Sequence, residues 1–389
     1  MCIRDRYSTL SAALADITDP RKQRGKRHAW IVILVLIAAA MTNGACSEKA
    51  IARWVGVRRE ELTERLKLAH GVPSASTLRR ALQTISVETL EARLNAYVSK
   101  AEVKQTKETA PEGDLPGLQG QSIDGKTVRG LRRYGRSLHL VSLVRHGSGV
   151  VLNQVAVSDK SNEITAVPQL LAKRDLTGTV TTMDALLTQR SLCQQILNQG
   201  GHYLVAVKRN HPSLYDDIAL LFEGQPWTIH EKTREYQSVR SCQKQHGRIE
   251  IRMLETSTSL ADYLDWPGVS QVLLRHSQRT IISSGKTTNK ITYAITSLPR
   301  QQANADQLAA IWRAHWTIEN QVHYVRDVTF GEDACHVRSG RAPQALAAFR
   351  NAVLSLFRLN RWRSIPDAID FYSASLDRTL KLVGFSGCT

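Results

Sequence analysis

The apolar positions of the first hundred residues recur at helical spacing, and the pattern predicts an all-helical region over 8–100. Trp30–Ala40 lies in an almost unbroken apolar run and is predicted to be a buried helix. Ser47 is predicted to cap a second helix, with Ile51, Ala52, Trp54 and Val55 as its apolar stripe. Pro73 and Ser74 punctuate a turn, and Ser76 or Thr77 is expected to cap a helix that exposes Arg79 and Arg80. A turn followed by a short basic helix has the form of a helix-turn-helix DNA reader. Over 101–120 the periodicity vanishes into Lys, Glu, Thr, Pro and Gly, which predicts a linker.

Beyond the linker the period changes to two. Gln121–Lys126, Leu138–Arg145 and Val150–Val157 read as strands, followed by a helix over Asn162–Lys173. Val180–Met183 is a buried strand, Leu186–Leu197 a helix, and Tyr203–Val207 another strand. This order fits an RNase H-like mixed sheet flanked by helices. Alternating stretches at 247–254, 269–275 and 291–295 predict an antiparallel, β-rich insertion. Ala305–Phe330 is expected to be one long helix and Ala345–Asn360 another. The fold class is therefore α/β: an RNase H-like core with a β-rich insertion, preceded by an all-helical domain. The predicted boundaries are 8–100 for the helical DNA-binding domain, 101–120 for the linker and 121–211 for the first part of the core. The insertion is placed at 212–298, and 299–389 completes the core.

Charge changes the picture. There are 52 Lys and Arg against 35 Asp and Glu, a net of +17, which favours a polyanionic partner. Residues 1–100 carry 17 basic and 9 acidic side chains, so the excess is not one terminal tail. The six cysteines form neither a C-x-x-C pair nor zinc-finger spacing with histidine, and are read as reduced thiols of a cytoplasmic protein. The run from Ala29 to Met41 is too short to span a bilayer, so no membrane partner is expected.

Two-metal phosphodiester chemistry needs about three convergent carboxylates on rigid elements. Asp124 lies on the first core strand and Asp184 at the end of the fourth, which are neighbours in an RNase H-like sheet. Glu319 is the candidate third ligand. At 3.6 residues per turn it shares a helix face with Trp312, His315, His323 and Arg326, an aromatic and cationic surface suited to phosphate. Asp327, Glu332 and Asp333 form a second acidic cluster that could replace Glu319 or support it. Lys208 and Asn210 follow a strand at the presumed active edge and could hold the DNA backbone. Arg248 alternates with His246 and Arg252 on an insertion strand that could track phosphates. No Walker motif is present.

Across Asp19–Arg358 the chain resembles the H-repeat-associated family of DDE transposases from ISAs-type insertion sequences. The resemblance rests on Gly71-Val72-Pro73-Ser74 with Thr77 and Arg80, and on Asp124 to Gly130. It continues through Lys160 to Ile164, Asp184-Ala185-Leu186 with Gln189, Lys208 with Asn210, and His246 to Glu250. It ends with His315 to Asn320 and Asp327 to Asp333. It implies an Asp124, Asp184, Glu319 triad holding Mg²⁺ or Mn²⁺, as two ions. It also implies double-stranded DNA as partner, at element ends and target, and a homodimer or higher multimer in the bacterial nucleoid. The tyrosine, arginine, glutamate and lysine signature of hairpin-forming relatives falls on Trp312, His315, Glu319 and Arg326. Lys126 joins the expected DNA contacts. Two other outcomes share this sequence: a catalytically silent or domesticated DNA-binding relative, and a metal-dependent nuclease that cuts without joining.

Overall fold

The computed structural model describes residues 9–22, 26–106, 117–135, 137–157, 162–172, 174–223 and 235–385. Half of the expected linker, Lys160 and Ser161 of the quoted motif, and Cys2 and Cys388 lie outside them. The chain is mixed α/β with an N-terminal helical region and one nine-stranded mixed sheet. It divides into two compact units, 1–111 with 125–162 and 317–389, and 112–124 with 163–316.

The first unit begins with helices α1 (Leu10–Ala15), α2 (Trp30–Thr42), α3 (Glu48–Val57), α4 (Arg59–Arg65), α5 (Ala75–Thr84) and α6 (Val87–Thr106). Nearly every residue of α2 is buried, as expected for a helix that is apolar all round. The Ser47 hydroxyl accepts the Ala50 N–H and starts α3. Helix α5 begins two or three residues earlier than the sequence suggests, because Ser74 and not Ser76 or Thr77 is the cap, accepting the Thr77 N–H at 3.3 Å. Strand β1 (Gln119–Thr127) ends in this unit, followed by β2 (His139–Arg145) and β3 (Val151–Val157), which pair antiparallel. After the second unit the chain returns through Thr317–Thr329 to α11 (Ala342–Leu359), α12 (Ile365–Ser373) and α13 (Leu376–Leu382). Helix α11 packs with α2 and α6 in the main hydrophobic core of this unit.

The second unit holds α7 (Glu163–Leu171), β4 (Thr179–Met183), α8 (Arg190–Asn198), β5 (His202–Val207) and α9 (Pro212–Glu223). Next come β6 (Tyr236–Gln245), β7 (Arg248–Ser257), β8 (Gln271–Ile281), β9 (Thr287–Thr296) and α10 (Ala305–Ala314). The strand order is β3-β2-β1-β4-β5-β9-β8-β7-β6. β1, β4 and β5 run parallel, and β6 to β9 form an antiparallel meander. The expected β-rich segment thus opens with a helix, α9, and gains a strand, β6. It joins the core sheet because β9 pairs with β5. The turn between β6 and β7 is made by His246 and Gly247, both at positive φ, the geometry that suits a two-residue hairpin.

The largest departure concerns the expected long helix. α10 stops at Ala314, and Ile318–His323 and Val325–Thr329 are π-helical, with the Tyr324 N–H donating to Glu319 O and the Phe330 N–H to Val325 O. Helical periodicity alone reads straight through such a change in winding. Among the described residues, no helix is long and apolar enough to cross a membrane.

Candidate active site

In the second unit β1 and β4 run parallel with Ile123 opposite Met183. Asp124, within β1, and Asp184, the first residue after β4, are the next residues on the two strands and therefore lie side by side. The Asp184 Oδ1 accepts the Leu186 N–H at 3.0 Å and the Leu187 N–H at 3.3 Å. These two bonds turn the chain sharply and fix the carboxylate. They also explain why α8 starts at Arg190 and not at Leu186. Asn210 donates to the Ala185 carbonyl at 2.8 Å, so it braces the same turn from the end of β5, while Lys208 is exposed.

Two residue pairs behind the aspartates, Ser122 and Thr182 hold the end of α10. The Ser122 hydroxyl donates to the His315 carbonyl at 3.2 Å, and the Thr182 hydroxyl is 2.9 Å from His315 Nδ1. Burial pushes the His315 imidazole down to about 4, against the pull of Asp184. This histidine is neutral near pH 7 and is no permanent cation. Trp312 is buried, with the Arg275 guanidinium 4.2 Å from its ring centroid.

Glu319 belongs to the first unit and is exposed. The other residues expected on its face are not. Seven residues make two α-turns but fall short of two of the wider π-turns, so Arg326 rotates away from Glu319. It is fully buried and pairs with Glu332 through Nε and Nη2, both at 2.9 Å. Arg350 adds a second guanidinium to Glu332 at 3.0 Å and donates to the Cys46 carbonyl. His323 is driven down to about 3, first by burial and then by Arg326 and Lys126. His323 and Arg326 thus present no cation to solvent in this unit.

The second acidic cluster is likewise engaged. Asp327 pairs with Lys126 at 2.5 Å, and Asp333 accepts the Arg129 backbone N–H at 3.1 Å. Lys126, expected on DNA, is only 7% exposed. With Asp327, Glu332 and Asp333 each tied to a cation or backbone donor, Glu319 is the carboxylate of this segment that stands exposed. Among the described residues, no three His, Cys, Asp or Glu side chains are gathered closely enough to hold a metal ion. The two aspartates lie in one unit and Glu319 in the other.

Cations cluster elsewhere. Arg79 and Arg80 are exposed on α5. In the β6–β9 meander, directly paired residues share a face. Arg252, Ser277 and Lys290 form one ladder, and Glu250, Arg279 and Thr288 the next. Arg248, Arg252, Arg275, Arg279 and Lys290 thereby share one face, with Glu250 as the carboxylate among them. Arg248 binds Glu250 at 2.7 Å, and Arg252 binds it too. The Arg313 side chain of α10 reaches Gln243 on the same face at 2.9 Å. Arg275, Arg279 and Lys290 are the members that sequence reasoning missed, since cross-strand register has no local signal.

The family profiles and the sequence relatives agree on a family. The profile described as "Transposase DDE domain" matches residues 111–356, and that of the DDE_Tnp_1-associated region matches 11–98. The "H repeat-associated putative transposase YhhI" of Escherichia coli K12 is 28% identical over 350 residues, covering 87% of this chain and 88% of that protein. The "Putative transposase YncI" of Escherichia coli O157:H7 is 29% identical over 348 residues, 88% and 85% of the two chains. A solved piggyBac transposase synaptic complex with hairpin DNA aligns over 98% of this chain and 78% of that one, at 10% identity and a TM-score of 0.43. With more than half its length matched by the domain profile, the chain belongs to the DDE transposase family.

Proposed function

We propose that this protein is the transposase of an insertion sequence, binding the element's ends and catalysing metal-dependent DNA cleavage and strand transfer. The observation that carries the reading is the parallel register that sets Asp124 beside Asp184. The order β3-β2-β1-β4-β5 supports an RNase H-like core. Asp124, Asp184 and Glu319 would hold Mg²⁺ or Mn²⁺, whose chemistry is to activate an attacking oxygen and stabilise a leaving one. The donor set suits such ions: hard carboxylate oxygens, one of them oriented by two backbone N–H groups.

The residues around the triad have separable tasks. Thr182 and Ser122 tie α10 to the strands that carry the aspartates. Asn210 supports the turn after Asp184. The cationic face of the meander, with Arg248 at one end, follows the DNA backbone, and Arg79 and Arg80 contact DNA from the helical region. Lys208 adds a further backbone contact at the end of β5.

The test uses a labelled plasmid carrying the element's ends, with wild type and Asp184→Asn, with and without Mg²⁺. The expected result is cutting and joining by wild type only with metal, and binding without either step by the variant. Cleavage without joining would replace the reading with a nuclease. Binding without cleavage under any metal would leave a DNA-binding relative.

A further inference from the structure

We propose that Lys126 is a positioning residue for the proposed cleavage site, acting through Asp327 to set the segment that carries Glu319. The inference rests on the transposase reading and concerns a contact within the first unit.

Lys126 and Asp124 are two residues apart on β1, so they project from the same side of the strand. Lys126 is buried. Its Nζ lies 2.5 Å from Asp327 Oδ1 and 4.0 Å from Asp333. Asp327 lies eight residues beyond Glu319 in the π-wound stretch. The contact continues along the chain. The Arg129 N–H donates to Asp333 at 3.1 Å. Gly130 lies so close that a Cβ there would sit 2.5 Å from the Cys335 carbonyl oxygen. Residues 126–130 and 327–335 are thus zipped together by an ion pair, a backbone bond and a steric fit. The Arg326–Glu332–Arg350 cluster anchors the far side of that loop. A cation meant for phosphate would be exposed. One buried against a carboxylate on the helix that presents Glu319 fixes that helix instead.

The experiment compares wild type, Lys126→Ala, Lys126→Arg, the exchange Lys126→Asp with Asp327→Lys, and Asp184→Asn. Mn²⁺ binding is titrated by electron paramagnetic resonance, and end cleavage is followed against Mg²⁺ concentration. End binding and thermal melting are measured on the same samples. Lys126→Ala should weaken Mn²⁺ binding and cut the cleavage rate about 10-fold or more, with end binding within about 2-fold. Lys126→Arg and the exchanged pair should recover most of the loss. A Lys126→Ala variant that loses end binding while keeping its metal dependence would make Lys126 a DNA contact and overturn the proposal. So would unchanged metal binding and cleavage. A melting loss that the exchanged pair restores, without restoring metal binding, would also overturn it by leaving the pair merely structural. If wild type and Asp184→Asn bind Mn²⁺ equally, the metal-site reading itself fails, and the positioning role falls with it. That failure is seen in the Asp184 arm and not in the Lys126 arms.

Discussion

Arg326 and Glu332 meet as a two-point ion pair with both side chains wholly withdrawn from solvent. Arg350 closes the cluster from α11. Burial pushes the Glu332 carboxyl up, but the two guanidiniums outweigh it and hold it at about 2. Removing one partner of a buried pair leaves an uncompensated charge. Glu332→Gln should therefore destabilise the fold by roughly 3–5 kcal/mol in urea denaturation. A loss below about 1 kcal/mol would show that the cluster tolerates two guanidiniums without a carboxylate between them. Because the folded pKa lies below the ordinary 4.5, this contribution is complete above that value and disappears as pH falls toward 2.

Glu91 should give the opposite pH dependence. Burial raises its carboxyl to about 7, despite hydrogen bonds from Gln154 and Gln344. Between about 4.5 and 7 the folded state holds a proton that the unfolded chain has lost, so stability falls as pH rises through that window. Glu91→Gln should raise the melting temperature at pH 8 and change it little at pH 4.5. Equal effects at both pH values would contradict the raised pKa.

His315 should stay neutral across the working range. With its imidazole held down to about 4, chiefly by burial, its ring resonances should not move between pH 5.5 and 8 in histidine-labelled NMR. Titration near 6.5 would mean that the Thr182 contact does not exclude water from the ring.

The cationic face of the meander predicts a salt signature. Arg279→Ala and Lys290→Ala, both at exposed positions, should weaken end binding and each lower the salt slope by about one. Lys244→Ala, on the opposite face, should change the slope less. Equal effects from the two faces would remove the directional DNA path.

Gly130→Ala should destabilise by roughly 1–3 kcal/mol, since the added Cβ would meet the backbone oxygen of Cys335 and not a movable side chain. A neutral outcome in thermal melting would mean that the 327–335 loop can shift outward freely.

Much of the candidate site was legible along the chain. The buried strand ending in Thr182-Met183-Asp184 and the strand through Ile123-Asp124 both formed, and their pairing followed from the strand order. Alternation and apolar runs report local period, which is why these elements and α2 could be read without contacts. The Ser47 cap was equally local. Sequence alone does not single out Ser74 over Ser76 or Thr77, because three hydroxyl residues within four positions offer the same chemistry and backbone geometry selects among them.

Other features depended on partners distant in sequence. The sequence by itself determined which residue types were available: an aspartate on one strand and another at the end of its neighbour, a helical glutamate and an excess of cations. Only the tertiary structure decided their employment. Lys126 and Arg326 read as phosphate ligands until Asp327 and Glu332 are seen to take them. Arg279 and Lys290 gain a shared face only through β8–β9 register. The wider turns after α10 rotate Arg326 inward while Glu319 stays exposed, because a buried guanidinium needs a carboxylate around it. Periodicity counts residues per turn and cannot register a helix that changes its winding.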